Sequence, residues 1–211
     1  MALLNDISEA LQKGRAQDVK TLVQQAIDAK TPVREILEDG LMAGMGIIGE
    51  KFKNNEVYVP EVLIAARAMN GGIELIRPLL VEAGVKERGT VVIGTVKGDL
   101  HDIGKNLVKM MVEGKGMKVI DLGTNVTADA FVAAAKEHSA QIIACSALLT
   151  TTMGEMKEVV QKAKDAGLRD AVKIMVGGAP VTQNFCDTIG ADAYAPDAAS
   201  AADSALALCT A

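Results

Sequence analysis

The chain has 211 residues, enough for one or two small domains, and 49% of them are hydrophobic, ample for a packed core. A net charge of −5 without a basic cluster, and aromatics limited to three Phe and two Tyr, argue against a base-stacking nucleic-acid surface. No apolar run is long enough to span a membrane and Met1 to Asp6 lacks a signal peptide's basic and apolar segments, so a cytoplasmic protein with no nucleic-acid or membrane partner is expected.

Helical spacing marks residues 3 to 12 and 15 to 29, the second with Leu22, Val23, Ala26 and Ile27 on one face. Thr31 reads as the N-cap of a third helix, with Pro32 at its first position and Glu35 placed for a capping box. That helix runs through Val33, Ile36, Leu37, Gly40, Leu41 and Gly44 to Ile48, its small residues allowing close helix approach. Residues 53 to 60 break the pattern, and Pro60 opens a fourth helix that continues to about Pro78. Four helices joined by short turns predict a bundle over residues 1 to 82. The charged, glycine-bearing residues 83 to 90 read as a linker.

From Val91 the pattern alternates. Strands are expected at 91 to 96, 117 to 121, 141 to 146, 173 to 176 and 192 to 195, with helices near 103 to 114, 127 to 138, 152 to 166, 181 to 189 and 199 to 209. Residues 91 to 211 are thus predicted to form an α/β domain: a flavodoxin-like, Rossmann-like five-stranded parallel sheet with helices on both faces, for which a flavodoxin-like strand order would be 2-1-3-4-5. Ligands bind such sheets beyond the carboxyl ends of the strands, at the switch point between the first and third.

Three stretches fall on that edge. Gly98-Asp99-Leu100-His101-Asp102-Ile103-Gly104 follows the first strand. Asp99 can accept the N–H of one ring nitrogen of His101 and leave the other nitrogen's lone pair for a metal, although a solvated loop with a helix-capping Asp has the same composition. Ser146 to Thr152 follows the third strand and supplies hydroxyls, at Ser146 and Thr150 among others, that can bond a buried ligand; Thr151 or Thr152 is equally an N-cap candidate. Gly177-Gly178 follows the fourth strand, where backbone must approach something closely. Neither a dinucleotide fingerprint nor a phosphate loop is present. Cys145, Cys186 and Cys209 are odd in number and scattered, which indicates neither a disulfide framework nor a cysteine zinc site.

Together, Asp99, His101 and Gly104, then Ser146 and Leu148, then Gly177 and Gly178 resemble the cobalamin-binding domain family, and residues 190 to 198 look like its last strand and loop. Leu41 to Gly49, with Phe52 and Tyr58 to Pro60, is similar to the helical cap of methionine synthase and of small corrinoid proteins from methyltransferase systems. The resemblance implies a cobalamin or related corrinoid bound base-off, with His101 as the cobalt ligand and Asp99 as its catalytic partner. Gly98, Leu100, Asp102, Ile103 and Gly104 would surround the ligand; Ser146, Leu148, Thr150, Gly177 and Gly178 would line the slot for the nucleotide tail, and Ala198 would lie beside the ring edge. Phe52, Val59, Met42 and Met45 would cover the upper face, although spacing alone reads the methionines and Phe52 as bundle core.

The implied function is that of a methyl carrier. A substrate-specific methyltransferase would load Co(I), a second one acting on tetrahydrofolate or a thiol would unload methyl-Co(III), and a reductive activase would repair oxidation. A cobalamin-dependent sensor, the small subunit of a carbon-skeleton mutase, or a flavodoxin-like protein for phosphate or flavin are the competing readings. The last leaves His101 without a task.

Overall fold

The computed structural model describes residues 2 to 210. It divides into two compact units, Met1–Glu87 and Arg88–Ala211.

The first unit is helical. α1 (Ala2–Gln12) and α2 (Ala16–Asp28) bury Leu4, Ile7 and Leu11, and Val19, Val23 and Ala26, at the three- and four-residue spacing of one helix face. α3 (Val33–Glu35) passes directly into a π-helical segment (Ile36–Met42) and then α4 (Ala43–Lys53), so the third predicted helix persists beyond Ile48 and contains a widened stretch the spacing did not foretell. Its expected cap is absent. Thr31 donates its N–H back to Ala26 and so belongs to the turn that ends α2, while Pro32 takes the N-cap place with no side-chain hydrogen bond. α5 (Val59–Glu82) begins one residue before Pro60, with the Tyr58 N–H donating to the Glu61 carboxylate at 3.0 Å. It also runs through Pro78, because Pro78 and Glu74, whose carbonyl loses its donor, are exposed to water.

Glycines set the spacing in this bundle. A Cβ at Gly44 would stand 3.0 Å from the Ser8 carbonyl oxygen, and one at Gly72 would stand 2.8 Å from a Leu41 methyl group. α1 therefore lies almost backbone to backbone on α4.

The second unit starts earlier than the end of the expected linker: Arg88 donates its N–H to Gly116, and Thr90 opens the first strand. Strands β1 (Thr90–Thr95), β2 (Lys118–Asp121), β3 (Ile142–Ser146), β4 (Lys173–Gly177) and β5 (Ala193–Tyr194) form one parallel sheet in the order β2-β1-β3-β4-β5. The crossovers are α6 (Ile103–Gly114), α7 (Ala128–Glu137), α8 (Gly154–Asp165) and α9 (Gln183–Ile189), and α10 (Ala198–Thr210) follows β5. α6 packs with α10, and α7 with α8, which places helices on both faces. Central strands buried on both sides read as continuous apolar runs, and β1 is buried from Val91 to Thr95. Phe131 of α7 is fully buried in the core over β1, where a Cβ at Gly94 would come within 2.7 Å of its ring.

Parallel register aligns the strand ends. Thr95 pairs with Ser146, and Ser146 with Gly177, so the loops after β1, β3 and β4 leave the sheet side by side.

Candidate functional site

The loop after β1 opens with a turn closed by the Asp99 N–H donating to the Val96 carbonyl at 3.1 Å, and Gly98 has φ +81°, as the third residue of a type II turn requires. This turn delivers Asp99 inward. Its carboxylate has no exposed surface and is saturated with donors. Oδ1 accepts the His101 N–H at 3.1 Å and faces His101 Nδ1 at 2.7 Å; Oδ2 accepts the N–H of Leu148 at 2.8 Å and that of Leu149 at 3.2 Å. The Thr152 hydroxyl lies 3.0 Å from Oδ2 and 2.9 Å from the Leu149 carbonyl, two acceptors for its one proton.

Burial alone would push the Asp99 carboxyl up, but the bonds from the His101 backbone and ring, Leu148 and Thr152 outweigh it and hold the acid well below the usual carboxylate range. An ionised carboxylate can only accept, so Nδ1 carries the proton. Nε2 has no partner among the described residues, and with the tautomer's proton on Nδ1 it is the nitrogen whose lone pair a metal can take. The His101 side chain is 51% exposed, and the Thr95 hydroxyl holds its backbone by donating to the His101 carbonyl at 2.8 Å.

The two loops that meet here also expose aliphatic side chains. Leu100 and Ile103 are 73% and 76% exposed, and Leu148 and Leu149 of the β3 loop are also exposed. A Cβ at Gly104 would meet nothing within 4 Å. Exposed aliphatic side chains beside an open imidazole nitrogen fit a large, flat, apolar ligand with a metal at its centre.

The other expected site residues divide. Asp102 occupies the N-cap place of α6 without a capping bond and instead accepts from the Asn106 amide at 3.1 Å, so the helix-capping alternative fails at the side chain. Ser146 is half-buried at the end of β3, and Thr150 is exposed. Thr152 does not cap α8, which starts two residues later; its hydroxyl faces Asp99. The tight approach behind Gly178 comes from within the protein, because φ is +126° and a Cβ would overlap the Ala147 carbonyl oxygen. Gly177 is unconstrained by comparison, its nearest such contact being 3.6 Å. Ala198 is buried in the first turn of α10. Met42 and Met45 are buried in the helical unit, as core spacing implies, and Phe52 and Val59 are half-buried there.

Thr95, Lys105 and Asp121 lie beside these residues and were not among those expected, and Thr152, expected as a ligand-facing hydroxyl or a helix cap, bonds Asp99 instead. Lys105 is buried with its ammonium 2.6 Å from Asp121 Oδ1 and 2.7 Å from Asn106 Oδ1. Burial would raise the Asp121 carboxyl, but Lys105 and the Gly123 N–H more than offset this and hold it below the usual range. The visible signals were a threonine run after β3 and a lysine inside an otherwise apolar face of α6.

A doubly wound sheet with this edge has the architecture in which α/β proteins bind ligands beyond the carboxyl ends of the strands. Residues 89 to 205 match the B12 binding domain family, and residues 3 to 77 match a second family, also described as a B12 binding domain. A corrinoid protein of Desulfitobacterium hafniense is 41% identical over 201 residues, covering 94% of this chain and 93% of that one. A trimethylamine corrinoid protein of Methanosarcina acetivorans is 48% identical over 179 residues, covering 84% of this chain and 83% of its own. A methanol:cobalamin methyltransferase complex from Methanosarcina barkeri contains a chain that superposes with a TM-score of 0.88 at 33% identity, over 99% of this chain and 80% of that one. The chain belongs to the B12-binding corrinoid protein family. No helix among the described residues is long and apolar enough to cross a membrane.

Proposed function

We propose that the protein binds its corrinoid base-off at the carboxyl edge of the sheet, with Nε2 of His101 as the lower ligand of cobalt. The observation that carries this is the Asp99–His101 bond, which fixes the ring's tautomer and leaves Nε2 available. The bound corrinoid supplies a cobalt that can carry a methyl group, and the chain is a corrinoid methyl carrier of methyltransferase systems.

Its own residues set how firmly the ring holds the metal. Asp99, kept anionic by four donors besides the ring, withdraws the Nδ1 proton's positive charge and makes Nε2 a better donor. Leu100, Ile103, Leu148 and Leu149 exclude water from the corrinoid's lower face, and Gly104 leaves room for it. Ser146, Thr150 and Gly177 would line the slot for the nucleotide tail, and Gly178 lets the β3 and β4 loops approach each other. A substrate-specific methyltransferase loads the carrier, a second one with tetrahydrofolate or a thiol as acceptor unloads it, and a reductive activase restores it after oxidation.

The test is reconstitution with hydroxocobalamin, gel filtration, reduction, and challenge with methylamine- and methanol-specific methyltransferases with their substrates. Retained corrinoid and methyl transfer with one of them, read from the corrinoid's absorption, are expected. Failure to retain corrinoid, or retention with an unchanged free-cobalamin spectrum, would overturn the proposal.

A further inference from the structure

Asn125, in the loop between β2 and α7, has no part in the chemistry above, yet it grips the segment that presents His101. Its Oδ1 accepts the Gly98 N–H at 2.8 Å, and its own N–H donates to the Asp99 carbonyl at 3.0 Å. The Gly98 N–H belongs to the central peptide of the Val96–Asp99 turn, the peptide whose flip converts a type II turn to type I. Asn125 thus selects one of two turn forms.

Its own backbone makes the residue type specific. Asn125 has φ +56°, a left-handed conformation that Asn tolerates better than most residues. The loop that carries it is anchored: Thr95 donates its N–H to Gly123, Val126 donates to Thr95, both at 2.9 Å, and Asp121 at the loop's start takes the buried Lys105 ammonium. Leu148, Leu149 and Thr152 fix Asp99 Oδ2 from the β3 side, so the path of the main chain from Val96 to His101 decides whether Oδ1 meets the imidazole. Asn125 is the side chain that holds this path from the β2 side.

We infer that Asn125 is a positioning residue for the cobalt ligand, locking the type II turn so that Asp99 and His101 are already aligned when corrinoid binds. This rests on the reading of His101 as that ligand. The test uses full-length protein with nitrogen-15-labelled histidines, reconstituted with unlabelled hydroxocobalamin and reduced to Co(II), with the fraction of cobalt bearing a histidine nitrogen read by electron paramagnetic resonance from the doublet that nitrogen-15 produces. Asn125→Gly keeps the left-handed freedom and removes the acceptor, and because Asn125 is exposed it removes no core packing. The ratio of histidine-free to histidine-bound cobalt is expected to rise about three- to tenfold, the worth of one hydrogen bond. Asn125→Asp, which keeps an acceptor, is expected to restore the wild-type ratio. Asn125→Ala loses the acceptor and strains the backbone, so it should match Asn125→Gly in the ratio while melting lower. A wild-type ratio in Asn125→Gly, or a ratio that tracks melting temperature across the three variants, would overturn the inference while leaving His101 as the ligand. Absence of the histidine signature in the wild-type protein would instead defeat the reading beneath it.

Discussion

The two units of the chain obtain their order by opposite means. In the helical unit, Ser8 is the one buried polar residue among those described, and the helices are spaced by glycines lying against apolar side chains and backbone. In the sheet unit, the buried polar or charged residues among those described are Thr95, Asp99, Lys105 and Thr152; Thr95 and Thr152 bond the loop that carries His101, and Lys105, just after it, is tied to Asp121. Apolar packing is non-directional and sets distance; a satisfied polar network sets orientation as well. An imidazole that must offer a particular nitrogen in a particular direction needs the second kind of order.

The contrast can be broken at Asp99. Asp99→Asn puts an NH2 either against the three groups on Oδ2 or against the His101 backbone and ring on Oδ1, and with the charge also gone about 3 kcal/mol of stability should be lost in urea melts of the apo-protein. Close behind comes Gly178→Ala, where a Cβ overlaps backbone and the residue is left-handed, for a loss of about 3 kcal/mol or a little less. In the helical unit Gly44→Ala should cost about 1 to 2 kcal/mol, because the Ser8 backbone can shift only by moving α1. Thr152→Val removes one of the donors to Asp99 and should cost about 1 kcal/mol. Gly46→Ala, where a Cβ meets nothing within 4 Å on α4, should stabilise by about 0.5 to 1 kcal/mol.

Acid should separate the two means without mutation. The Asp99 carboxyl is depressed in the folded protein, so its contribution is complete at neutral pH; below about pH 4 the unfolded chain takes up a proton that the folded one refuses, and stability falls. Asp99→Asn should flatten this part of the stability profile measured by urea titration at each pH. An unaltered profile would mean that Asp99 is not held as its hydrogen bonds indicate.

What could be read in the sequence was local. Asp99 and His101 stand two residues apart after a β-branched run, and the alternation from Val91 onward implies a parallel sheet with helical crossovers, though not by itself the order of its strands. What could not be read was the other end of each long-range bond. Thr152 bonds Asp99 across 53 positions, and Asn125 bonds Gly98 across 27, so a threonine before a helix resembles a cap and an asparagine in a turn resembles a turn residue. Gly177-Gly178 was visible as a close approach, but only coordinates distinguish a crowded Gly178 from an open Gly177. In the helical unit, helical spacing encodes neither the π-helical stretch at Ile36–Met42 nor the passage of α5 through Pro78, where Pro78 and Glu74 are exposed to water.

The claim beneath the whole account is tested most directly by labelling the protein's histidines with nitrogen-15, loading it with unlabelled cobalamin, and recording the resonance spectrum of the Co(II) form. Ligation by His101 predicts that each cobalt line splits into a doublet, and that His101→Ala abolishes the doublet while the B12-binding unit stays folded. Triplet splitting in the labelled wild-type protein would mean that the cofactor's own base holds the metal, and would contradict the account.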